Sequence, residues 1–141
     1  MDDDRTGFWI GSELTRRLEV TKLGLITDAL FGFSVVACAD GFSAKFQCET
    51  MLGDLAQFRD QVQAMYATLE GTAELRFIDD SVSIDGDVNR YGHVHWRIRL
   101  AHSHGENRSV LEFTIREDQT MLWNVAAKIT TLLEVAAYAS E

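Results

Sequence analysis

Along most of this chain apolar and polar residues alternate, and twice the alternation gives way to a stripe of helical period. The sharpest local signal is Asp40-Gly41, set between Phe33–Ala39 and Phe42–Cys48. A two-residue loop there pairs Ala39 with Phe42, Ala37 with Ala44 and Val35 with Phe46. The apolar partners then share one face, while Ser34, Ser43, Lys45 and Gln47 share the other. Asp-Gly tolerates the positive φ angles of a type I′ turn, so turn chemistry and register agree on a hairpin over about 33–49. In this register Phe42 and Phe46 are expected to fill the core.

A helix is expected from Leu52 to Glu70, because Leu52, Leu55, Phe58, Val62, Met65 and Leu69 recur at steps of three and four. Thr50 is its candidate N-cap, Asp54 suits its positive end, and Gly71 supplies a left-handed stop. Four alternating runs follow: Ala73–Phe77, Ser81–Asp85, His93–Leu100 and Val110–Arg116. Each has one apolar and one polar face, as strands of an antiparallel sheet do. A closing helix over Met121–Tyr138 carries Leu122, Val125, Ile129, Leu132, Leu133 and Ala136 on one side, capped by Asp118 or Thr120. Before the hairpin, Phe8–Gly11 and Leu18–Leu23 read as short strands, and 24–32 as a connection. The predicted fold is α+β: one antiparallel β-meander sheet of six to seven strands, with two long helices on its apolar face. Residues 1–6 are expected to be a disordered tail, and 7–141 a single domain.

Composition sharpens the picture of partners. The chain has 141 residues and a formal charge of −9, from 22 acidic and 13 basic side chains. That sign repels nucleic acid and anionic lipid and speeds encounter with basic partners, although many acidic proteins are acidic only for solubility. No apolar run reaches the ~18 residues of a membrane span, and the acidic N-terminus is unlike a signal peptide. A cytoplasmic protein is therefore expected. Cys38 and Cys48 point to opposite faces of the hairpin, which argues against a disulfide.

Candidate chemistry is sparse. His93, His95, His102 and His104 fall within twelve positions, and His93 and His95 share a strand face, as two ligands of one metal do. Leu100 is about 23 Å along the strand from His93, so a compact four-histidine site is hard to build. Wet-face histidines are the plainer reading; a metal-binding module or metal-dependent enzyme using His93 and His95 is the alternative. Arg76, Arg97, Arg99, Arg116 and Lys45 fall on the polar face. Glu74 and Glu112 alternate with the arginines, and Trp96, Phe77 and Phe113 point inward. Cross-strand ion pairs explain this better than a base-stacking RNA platform. GxSxG, P-loop, HExxH and CxxC patterns are missing, so no catalytic residue and no cofactor is assigned. Asp79, Asp80, Asp85 and Asp87 lie within nine positions at the two ends of one short strand. Displayed on loops, they form a candidate surface for a cationic partner, although aspartate also suits turns for purely local reasons.

The order Gly41-Phe42-Ser43-Ala44-Lys45-Phe46, Asp54-Leu55 with Phe58, Leu69-Glu70-Gly71-Thr72-Ala73, Gly92-His93-Val94, Leu111-Glu112-Phe113 and Asp118-Gln119-Thr120-Met121-Leu122 resembles the WapI-type bacterial immunity proteins and related uncharacterised bacterial families. Phe8-Trp9-Ile10-Gly11-Ser12 is similar to the opening of one of those related families. The likeness spans about 8–136. It implies a cytoplasmic, non-enzymatic protein that binds and occludes a cognate toxin; a monomer or homodimer is expected. Many such toxins are nucleases with basic clefts, which a chain of this charge suits. The matching positions read mainly as fold positions, so the resemblance assigns no contact residues.

Overall fold

The structure, a computed structural model, describes residues 6–11 and 15–139, with side chains described as far as 135. Its elements are β1 (Gly7–Gly11), β2 (Arg16–Leu25), β3 (Leu30–Ala39), β4 (Phe42–Met51), α1 (Leu52–Thr68), β5 (Thr72–Arg76), β6 (Val82–Val88), β7 (His93–His104), β8 (Asn107–Asp118) and α2 (Thr120–Ala139). A 3-10 turn, Ile78–Asp80, joins β5 to β6. The α+β class and both helices are as predicted, but the single six-to-seven-stranded meander is not. There are two four-stranded antiparallel sheets, ordered β1-β2-β3-β4 and β5-β6-β7-β8.

The division has a physical reason. One sheet this wide would carry more apolar face than two helices can cover, so two half-sheets bury much of that face against each other. Phe33 of the first sheet meets Phe77, beside the second, edge to face with ring centroids 6.0 Å apart. Phe58 of α1 lies 6.4 Å from Phe8 and 6.2 Å from Trp96, and so touches both sheets. Residues of both sheets and both helices form one buried cluster.

Locally, the hairpin register is as expected: Ala39 opposes Phe42, Ala37 opposes Ala44 and Val35 opposes Phe46. Asp40 and Gly41 both take positive φ, 51° and 96°. Phe42 departs from expectation, since it is 69% exposed next to the turn of the hairpin. The supposed connection at 24–32 is mostly strand. β2 runs on through an irregularity between Lys22 and Gly24, and only 26–29 turn, where the Thr27 hydroxyl accepts the Ala29 and Leu30 N–H groups. Thr50 is not a cap, because β4 runs directly into α1 and buries it completely. The Leu52 N–H is satisfied by the Ala29 carbonyl instead. Leu69, in left-handed conformation, ends α1 before Gly71 is reached. Asp118 does serve α2, accepting the Thr120 N–H at 2.9 Å, and that bond holds its carboxyl below the usual carboxylate range. The expected tail at 1–6 lies outside the described residues except for Thr6, whose carbonyl accepts the Lys22 N–H.

Two close fits position the second sheet. Gly86 lies directly across from Trp96, and a Cβ on it would come within 2.4 Å of the indole ring. Glu117 joins the sheets: one carboxylate oxygen accepts the Gly11 N–H at 2.8 Å, the other the Trp96 Nε1–H at 3.1 Å. Burial dominates over these bonds and raises its pKa above the ordinary 4.5.

Gly86→Ala is expected to destabilise the protein by about 1–3 kcal/mol through overpacking, read as a lower urea midpoint at unchanged m-value. Glu117 gives a pH test. Its folded pKa is raised, so its contribution to stability is complete below pH 4.5 and falls as pH climbs through the raised value. Glu117→Gln is expected to flatten that part of the stability–pH curve. A slope equal to that of the unsubstituted protein contradicts the assignment.

Candidate partner-binding surface

The outward face of β5–β8 is an ion-pair lattice. Arg76 pairs with Asp85 at 2.9 Å, Arg97 with Asp87 at 3.0 Å and Arg99 with Glu112 at 3.1 Å; Glu74 stands 3.9 Å from Arg76. Cross-strand pairing of the arginines is as expected, between neighbouring strands of one antiparallel ladder. Of these pairs, only Arg99–Glu112 uses an expected partner: Asp85 and Asp87 take Arg76 and Arg97, and Glu74 lies on the same strand as Arg76. Trp96, Phe77 and Phe113 are buried beneath, so the face presents no aromatic platform. With Arg76, Arg97, Arg99, Arg108 and Arg116 against Glu74, Asp85, Asp87, Glu112 and Asp118, it is close to electrically neutral.

The four candidate aspartates are therefore divided. Asp85 and Asp87 alternate along β6, partly covered and each held by an arginine. Asp79 and Asp80 stand exposed in the turn before β6, both left-handed, with φ of 60° and 55°. Seven residues of strand, about 23 Å, separate Asp80 from Asp87. The structure brings Asp79 together with a residue that sequence reasoning passed over: Glu49, on β4. Both line a shallow groove of about 480 Å³ with Gln47, Ile78, His102 and Arg108. Among the described residues neither carboxylate is in an ion pair. Glu49 belongs to the first sheet and Asp79 to the turn beside the second, and no local pattern announces that contact.

The histidines do not converge. His93 lies opposite Asp118 and His95 opposite Arg116. The Arg116 Nη2 sits 2.9 Å from His93 Nδ1, placing a fixed cation where a metal would need a lone pair. His102 packs beside Phe46, ring centroids 5.3 Å apart, and His104 ends β7. Among the described residues no three His, Cys, Asp or Glu side chains are arranged to hold a metal. The metal reading of His93 and His95 thus gains no third ligand.

Both cysteines are free thiols. Burial pushes the Cys48 thiol up to about 12, which leaves it protonated and a poor nucleophile at neutral pH. Two further surface features stand out. Trp123 of α2 is 59% exposed beside Trp9, whose ring carries Lys128 at 4.8 Å and Arg17 at 5.2 Å. Phe42, Ala44 and Phe46 of β4 face Val110 and Leu111 of β8 across a notch of about 320 Å³. No helix among the described residues is long and apolar enough to cross a membrane.

The model of the immunity protein WapI-like family matches residues 28–136, from the turn before β3 into α2, leaving β1 and β2 outside. No curated protein and no solved structure matches the chain. The matched span is well over half of the sequence, and the chain belongs to the WapI-like immunity protein family.

Proposed function

We propose that this protein neutralises a cognate bacterial toxin of nuclease type in the cytoplasm, by binding and covering it, with no bond made or broken on the immunity protein. Family membership supports the immunity role. The observation that carries the mode of binding is the uneven spread of charge. The β5–β8 face balances its own charges, while the chain as a whole stands at −9, so the excess of carboxylates lies elsewhere. Asp79 and Asp80, with Glu49 beside them, are exposed or half-exposed carboxylates free of ion pairs among the described residues. A nuclease must hold phosphates and so carries a basic cleft; such a cleft draws in carboxylates displayed on a rigid turn.

Asp85 and Asp87 belong to the same proposed surface in a secondary role. Each must share or exchange its arginine before meeting a toxin cation, which reduces what it adds. Asp79 and Asp80 are the primary contacts.

The test uses the protein encoded beside this one as the partner, with cell survival and stopped-flow association as readouts. Asp79→Lys with Asp80→Lys is expected to slow association about tenfold or more at low salt, with a smaller loss at high salt. Asp85→Lys with Asp87→Lys is expected to cost less in rate. Full protection and an unchanged association rate for both double variants discards this surface. Failure of the unsubstituted protein to bind any neighbouring toxin discards the function itself.

A further inference from the structure

We propose that two copies of this chain pair through the free edge of β8, antiparallel and centred on Val110, and so join their second sheets into one. The inference does not rest on the toxin reading, and its edge adjoins that surface, since Arg108 also lines the groove of Asp79 and Glu49.

β8 is an outer strand of its sheet, and among the described residues its one strand partner is β7. Its Asn107–Val110 stretch and Glu112 are exposed, and Leu111 is half-buried. The direction of its backbone groups follows from two hydrogen bonds. Gln119, just past its end, donates to Gly92 at the start of β7, so odd-numbered residues turn their N–H and C=O toward β7. The Thr114 carbonyl instead accepts Arg16 Nη1 at 2.7 Å, on the side away from β7. Backbone groups alternate sides along a strand. Arg108, Val110 and Glu112 therefore present their N–H and C=O groups outward as an open row among the described residues, where covering of the edge begins at Thr114.

An open edge invites another strand, and natural proteins often guard it with charge. Here the charges select a partner instead. With a two-fold axis at Val110, Arg108 of each copy faces Glu112 of the other, and Val110, 45% exposed, faces itself. All three pairings join residues whose backbone groups point across the junction, so each exchanges two hydrogen bonds. An axis at Arg108 or Glu112 sets like charges together; an axis at Ser109 brings Glu106 against Glu112; an axis at Leu111 leaves Arg108 facing Thr114. Opposite charges directly across a strand pair stabilise it and like charges oppose it, so one register is favoured. In that register Ser109 and Leu111 of the added strand lie over the apolar notch beside Phe42, which is 69% exposed. Glu112 is itself 66% exposed, so its bond to Arg99 leaves it room for a second cation.

The test is the oligomeric state of the purified full chain, by sedimentation velocity across the micromolar range. A reversible dimer is expected. Arg108→Glu alone and Glu112→Arg alone should each weaken it about tenfold or more, since two symmetry-related attractions become repulsions. The chain with both substitutions should dimerise again, and an equimolar mixture of the two single variants should form a mixed dimer. Unchanged circular dichroism guards against misfolding. A chain that stays monomeric at every concentration overturns the proposal. So does a dimer indifferent to both single substitutions, or a monomer whose single variants lose only toxin protection, which would give the edge to the toxin.

Discussion

Phe58 is the side chain on which the three layers of this molecule converge. It leaves α1 on the buried stripe and meets Phe8 of the first sheet and Trp96 of the second. Two apolar sheet faces that cannot both be covered by helices have to cover each other, and the wedge where they part has to be filled. α1 and α2 fill it with Leu55, Phe58, Val62, Met65, Leu122, Val125, Ile129 and Leu132. The remaining details follow from that closure. Gly86 has no Cβ because the Trp96 ring occupies its space, and Glu117 spans the seam because both sheets leave an N–H there to be met.

Much of what is decided within one strand pair or one helix was legible in the sequence. The Asp40-Gly41 turn, its register, the two helical stripes and the alternating charges of β5–β8 are all set by neighbours at fixed spacing. Most of what escaped was set by contacts beyond the local window. The split into two sheets depends on how much apolar face must be buried in total, which no window of residues reports. Phe42 has the right parity for the core but sits next to the turn of the hairpin, where a notch separates it from Val110 and Leu111 of the second sheet. Thr50 has the right chemistry for a cap, yet β4 continues through it and Ala29 takes over the donor it was to satisfy. Gly71 looked like the helix stop, and Leu69 turned first.

The candidate surface shows the same division between local and distant causes. Asp85 and Asp87 were grouped with Asp79 and Asp80 because they are close in sequence. Strand geometry assigns them different environments. A residue on β6 has β5 on one side and β7 on the other, and both strands bring arginines of matching parity, so its charge is met. A residue in the turn before β6 has no flanking strand and keeps its charge for solvent or for a partner. Glu49 joins the turn only because the first sheet folds back over that end of the second.

The conformation of the turn adds a reason to place recognition there. Two consecutive non-glycine residues with positive φ are costly, and aspartate is among the side chains that tolerate that region best. The turn is held by Asp80 N–H to Phe77 carbonyl and Ser81 N–H to Ile78 carbonyl, with Phe77 itself anchored in the core against Phe33. Both carboxylates are thus mounted on backbone that is fixed before any partner arrives. In the proposed complex, ordering them costs little, and attraction from a cationic cleft is not spent on freezing a loop. A flexible acidic tail of equal charge would steer a toxin as fast but hold it less firmly. In this molecule, the same packing that closes the core also sets the charges in place.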